Sequence, residues 1–135
     1  MFERCLYFNV NALARKVNAI WDEAFAEFDL SPAHAYLLRL VLENPDITQT
    51  RIADELRLEK STVTRFINVL EDKQLLMRTR TGRETMIKPT LQAKKMKNRL
   101  NKKADALYQE MLKTMGKSGL NELVTRMRET GNRLQ

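Results

Sequence analysis

The feature that most limits how this chain can fold is one apolar stripe at its N-terminus. Phe2, Leu6, Val10, Leu13, Val17, Ile20, Ala24 and Phe28 recur in steps of three or four residues, the spacing of one face of an α-helix. The stripe nearly keeps a heptad, and so long a helix needs an equally long apolar surface against it. A chain of 135 residues suits one domain with its own core, with little surface to spare. A second copy of the chain is the expected cover, so the stripe predicts a homodimer.

Shorter elements follow. In LSPAHAYLLRLVLEN, Ser31 can cap a helix and Pro32 fits its first position, where a missing N–H costs nothing; the helix stops near Asn44-Pro45. Thr48 offers an N-cap for a short helix burying Ile52, Ala53 and Leu56. The next helix begins around Glu59 or Lys60. It points Val63, Phe66, Ile67 and Leu70 inward and leaves Lys60, Ser61, Thr62, Thr64, Arg65 and Asn68 mostly outside. LLMRTR and RETMIKP read as two short strands about a two-residue turn containing Gly82, with Arg78 and Arg80 on one face of the first strand. Thr90 caps a long helix with Leu100, Ala104, Leu107, Met111 and Met115 along its inner side. Gly116 with Ser118-Gly119 should break it, and a final helix carries Leu120, Leu123, Val124, Met127 and Leu134.

The expected fold is therefore mainly α with a small β-hairpin: a winged helix-turn-helix domain over residues 31–104 and a helical dimerisation region from residues 1–30 and 105–135. In such a domain the second helix can enter a DNA major groove while the first braces it across the backbone. Ser61, Thr62 and Thr64 are small enough for close approach, Arg65 can reach guanine, and Asn68 can reach adenine or a phosphate. Arg78, Arg80 and Arg83 place positive charge on the hairpin, where a phosphate or minor-groove contact is easy. With Lys60, these nine residues form the expected interface with double-stranded DNA. The plain alternatives are a solvated helix face and solubilising charge on an edge strand.

Charge distribution supports an anionic partner. Residues 1–50 hold 4 basic and 7 acidic side chains, residues 51–90 hold 9 and 6, and residues 91–135 hold 11 and 4. The net +7 thus lies downstream. The run KKMKNRLNKK, 94–103, reads equally as a solvated face or as a neighbour of the phosphate backbone.

The stretch LSPAHAYLLRLVLENPDITQTRIADELRLEKSTVTRFINVLEDKQLLMRTRTGRETMIKPTLQAKKM resembles the winged-helix core of MarR-type transcriptional regulators, and the flanking helices resemble that family's dimerisation part. Nearly the whole chain is covered. The most specific piece is IADELRLEKSTVTRFINVLEDKQLL, with its Ser-Thr-Val-Thr-Arg run. The resemblance implies groove-facing Ser61, Thr62, Thr64 and Arg65, and Arg83 near the wing tip. It also implies a homodimer on a pseudo-palindromic operator, usually a repressor released by a signal, and a place for a small aromatic effector between dimer helices and winged domain. Seven methionines and Trp21 could line such a place, although plain core is the commoner use of these residues. The wing departs from the family: RTRTGRETM is short, with Gly82 before Arg83 and no Asp beside it, where many members carry a longer loop with an Asp-x-Arg element.

The remaining residues argue against other chemistry. Cys5 reads as a buried, inert thiol. A redox role is the alternative, because RCLYFNV is similar to the peroxide-sensing branch of the same family, although Asn9 stands where that branch has a tyrosine. His34 is the one histidine, with no Cys or His at ligand spacing, so no metal site and no cofactor are expected. There is no Gly-rich phosphate loop and no credible nucleophile with a base, which argues against an enzyme. A winged helix used only for protein contacts is the competing function. One cysteine, no secretory pattern and no long apolar run together suggest a cytoplasmic protein.

Overall fold

The computed structural model describes residues 1–134. The elements run α1 (Leu6–Phe25), a 3-10 turn (Ala26–Phe28), α2 (Pro32–Glu43), β1 (Ile47–Thr48), α3 (Gln49–Leu56), α4 (Lys60–Asp72), β2 (Leu76–Thr81), β3 (Glu84–Pro89) and α5 (Leu91–Arg133). The chain forms two compact units, Met1–Asn101 and a second from Lys102 onward.

Helix α1 starts four residues later than the stripe. Cys5 is extended (φ −84°, ψ 116°), and the Asn9 side-chain amide donates to the carbonyls of Glu3 at 3.0 Å and Cys5 at 2.8 Å. A polar side chain satisfying these carbonyls gives the backbone an alternative to helix. Phe2 folds back on Phe8, ring centroids 5.6 Å apart. At the other end the helix tightens into the 3-10 turn, and Asp29 at φ 55° turns the chain toward α2. The stripe divides accordingly. Phe28 is buried and Ala24 half-buried, whereas Leu6, Val10, Leu13, Val17 and Ile20 remain 36–57% exposed.

The caps of the winged domain lie where local chemistry puts them. Ser31 Oγ accepts from the His34 N–H at 3.2 Å with Pro32 at the first helical position, and Thr48 Oγ1 accepts from the Arg51 N–H at 3.2 Å. Thr90 Oγ1 accepts from the Ala93 N–H at 3.2 Å and donates to the Gln74 carbonyl at 2.7 Å, which ties the start of α5 to the end of α4. The core is apolar. Leu37, Leu38, Ile52, Ile67, Leu70 and Ile87 are fully buried, each contributing about 1.5–3 kcal/mol by leaving water.

The sheet differs from the sequence expectation, and the last helix refines it. The hairpin carries a third strand: Ile47 pairs with Ile87 and Thr48 with Met86, giving the antiparallel order β1-β3-β2. Two residues are too few to display a period, so β1 leaves no signature in the sequence. The expected break in α5 is present at Gly116 (φ 75°, ψ 158°), where two helices meet at a kink, while Ser118 and Gly119 stay helical. A glycine in αR costs about 1 kcal/mol, too little to end a helix. Of the inner stripe, Leu100 and Leu107 are buried and Ala104, Met111 and Met115 half-buried; Leu134 lies beyond the helical end.

Candidate nucleic-acid interface

Helix α4 is docked by one face. Val63, Ile67 and Leu70, at i, i+4 and i+7, are fully buried. The opposite row, Ser61, Thr64, Arg65 and Asn68, is exposed, as is Lys60; Thr62 sits at the margin, half-buried. Glu59, the N-cap, makes no side-chain cap hydrogen bond. The helix therefore presents its first N–H groups uncapped beside Lys60, the end that attracts anions.

The side chains of this face are tied to one another. Thr64 Oγ1 donates to the Lys60 carbonyl at 3.0 Å and accepts from Gln49 Nε2 at 3.2 Å. Arg65 Nη2 donates to Thr62 Oγ1 at 3.2 Å. Gln49 is a site residue that the sequence reading missed. Its only signal was a run of polar residues, Thr48, Gln49 and Thr50, in the first turn of a helix whose neighbour was already the candidate.

The wing closes the other side. Its loop is the residue pair Gly82-Arg83, between Thr81 and Glu84, which pair across the hairpin. Gly82 has φ 63°, the left-handed value that a type II′ turn needs at its first central position. Arg80 and Arg83 are exposed. An open cleft of about 270 Å³ runs between wing and helices, lined by Thr48, Gln49, Lys60, Thr64, Arg83 and Thr85 among others. Arg78 is differently placed. Its Nη1 lies 2.6 Å from Glu71 Oε1, and its Nη2 donates to Asn68 Oδ1 and, at 3.4 Å, to the Thr64 carbonyl. Its guanidinium is thus engaged with α4.

The basic run at the start of α5 is partly occupied by ion pairs. Lys97 Nζ lies 3.4 Å from Glu43, and Arg99 lies 3.4 Å from Glu27 and 5.0 Å from the centre of the Phe28 ring. Lys94 and Lys95 are exposed. The aromatic residues Trp21 and Tyr36 join through an Nε1–H donated to the Tyr36 hydroxyl at 3.2 Å, and Arg39 lies over the Tyr36 ring. Cys5 is exposed, where a buried thiol was expected: it is the extended N-cap residue, ahead of the helix rather than on its apolar face. His34 contacts Ser31 Oγ through Nδ1, while its Nε2 is buried without a hydrogen-bond partner. Burial, and second the charge of Lys73, hold its pKa below the ordinary value. Among the described residues no group of three or more His, Cys, Asp or Glu could hold a metal ion, and no helix is long and apolar enough to cross a membrane.

Residues 28–84 match the family model described as the MarR family. No curated protein is significantly similar to this chain. Among solved structures, the PcaV transcriptional regulator from Streptomyces coelicolor in complex with its natural ligand superposes with a TM-score of 0.88 at 17% identity, over 100% of this chain and 97% of that one. The repressor CouR bound to p-coumaroyl-CoA gives 0.86 at 20% identity, over 98% and 96%. The S. aureus MepR–DNA complex gives 0.85 at 18% identity, over 98% and 100%. At these identities the likeness establishes the fold.

Proposed function

From the match of residues 28–84 to the MarR-family model we propose that this chain is a MarR-type, sequence-specific DNA-binding regulator of transcription. The observation that carries the reading is the one-sided docking of α4: its apolar row is fully buried, and its polar row stands out beside the exposed wing arginines. A solvated face alone would not need a polar cleft carrying Lys60 and Arg83 beside it.

Lys60, Arg65, Arg80 and Arg83 supply attraction for phosphates, and a phosphate at the N-terminus of α4 would satisfy its uncapped N–H groups. Ser61, Thr62, Thr64 and Asn68 fit the helix against base edges, with Arg78 at the base of the wing. The exposed apolar row of α1 supports a homodimer, with residues 1–30 and 105–135 as its dimerisation region. Two such recognition helices would read half-sites about one helical turn apart, roughly 34–36 Å, on a pseudo-palindromic operator. Action as a repressor released by a small molecule or other signal is supported by the ligand complexes of CouR and PcaV. The protein is not an enzyme and works in the cytoplasm.

The test is retention of a random-sequence duplex library by the purified protein at several salt concentrations, with sequencing of the retained fraction. A palindromic motif and a steep salt slope are expected. Salt-sensitive retention without a motif would reduce the protein to a non-specific DNA binder. No retention at low salt would point to a winged helix that serves protein contacts only.

A further inference from the structure

The hydrogen bonds of Arg78 settle how Asn68 can read a base. An asparagine amide is two-sided, an acceptor oxygen and a donor NH2, and it recognises adenine by using both at once: Oδ1 accepts from N6 and Nδ2 donates to N7. In this structure Oδ1 is turned toward the wing, where one of its lone pairs takes an N–H of Arg78. Arg78 has only donors to offer, so the atom facing its Nη2 must be the oxygen, and the NH2 is the side left to face outward. The guanidinium cannot easily turn away. Glu71 holds its Nη1 at 2.6 Å, the Thr64 carbonyl accepts from Nη2, and the Arg78 side chain is only 26% exposed. The neighbouring Thr64 has its hydroxyl proton already given to the Lys60 carbonyl.

We propose that Arg78 is a positioning residue for sequence readout: by drawing Asn68 Oδ1 toward the wing it leaves the NH2 as the outward edge of the amide, so that Asn68 reads guanine in preference to adenine. The proposal rests on the DNA-binding reading above. Guanine offers two acceptors in the major groove, N7 and O6, and both can receive N–H groups. Adenine offers N7 beside an N6 amine, and that amine would meet the outward NH2, with the amide oxygen turned back toward the cation of Arg78. Cytosine offers an amine alone. The wing strand thereby sets the base preference of a residue on the recognition helix without touching DNA itself.

The experiment is selection from the same random duplex library with the wild type, Asn68→Ala, Asn68→Asp and Arg78→Ala. A wild type that selects no motif would defeat the DNA-binding reading itself. Given a motif, Asn68→Ala should lose preference at a single position of each half-site, which identifies the base that Asn68 reads. Wild type should favour guanine over adenine there by about fivefold or more, the low end of a good base contact. Asn68→Asp, which has no donor and a stronger attachment to Arg78, should lose the guanine preference while folding as wild type does. Arg78→Ala should admit adenine at that position and leave the salt slope unchanged. Three results would overturn the proposal: adenine preferred by wild type, no position altered by Asn68→Ala, or a uniform loss across sequences with a slope reduced by about one in Arg78→Ala, the mark of a direct phosphate contact.

Discussion

The imidazole of His34 packs on the ring of Phe66 with centroids 4.4 Å apart, joining the first turn of α2 to the middle of α4. Burial there, and the nearby charge of Lys73, lower the pKa of His34 from 6.5. The unfolded chain therefore takes up this proton at higher pH than the folded one. The sign follows: the contribution is intact above 6.5, and stability declines as pH falls from there toward the lower folded value. Urea unfolding of wild type and His34→Gln at pH 7.5 and 5.5 measures it. The wild type should lose more stability between the two pH values than the variant does.

Gly82 carries the wing's turn at φ 63°, and a Cβ added to it would meet nothing within 4 Å. Gly82→Ala therefore reports backbone strain alone, about 1–2 kcal/mol for the left-handed region. Hydrogen exchange at Thr81 and Glu84 should accelerate in the variant, while the amides of α2 keep their protection; unaltered exchange at the hairpin would show that the turn tolerates a side chain.

Arg83 and Lys97 are both basic and both follow the recognition helix, but they should differ in the salt dependence of DNA binding. Each phosphate contact contributes about 0.9 to the slope of log K against log salt. Arg83→Gln should lower the slope by about that much per protomer. Lys97→Gln should leave it unaltered, because Lys97 lies against Glu43 at 3.4 Å. Equal slopes in the two variants would remove the wing tip from the interface.

Arg65 stands on the exposed row of α4 with one Nη2 hydrogen bond, to Thr62. If it pairs with a guanine, Arg65→Ala should weaken operator binding by about 1–3 kcal/mol and relax preference at one position. A uniform weakening on every sequence would make it a phosphate contact instead. Titrations against the selected operator and its single-base variants separate the two.

Leu13 and Val17 are 42% and 36% exposed on an otherwise regular apolar row. Replacing both with Glu should leave α1 helical by circular dichroism and make the protein a monomer by light scattering. With one recognition helix per particle, palindromic selection should vanish. A dimer that survives the double substitution would place the interface elsewhere.

Much of the architecture was legible because its determinants lie within a few residues of one another. The caps at Ser31, Thr48 and Thr90 bond to N–H groups three residues on, and the buried row Val63, Ile67, Leu70 repeats at the helical period. The exposed row opposite, and hence the candidate interface, follows from the same period. What the sequence determined by itself was thus the helices, their faces, the hairpin about Gly82 and the surplus of charge on it. Only the tertiary structure decided how that charge is divided between the exposed surface and internal bracing. Arg78 and Arg80 are equivalent in an alternating strand, yet one is held by Glu71 and Asn68 while the other is exposed. Lys97 and Arg99 reach carboxylates on segments more than fifty positions earlier. β1 exists because folding brings Ile47 beside Ile87. The physical reason is common to all three: a hydrogen bond or ion pair acts over a few ångströms of space, and sequence patterns report distance along the chain only where the backbone between the partners is a regular element.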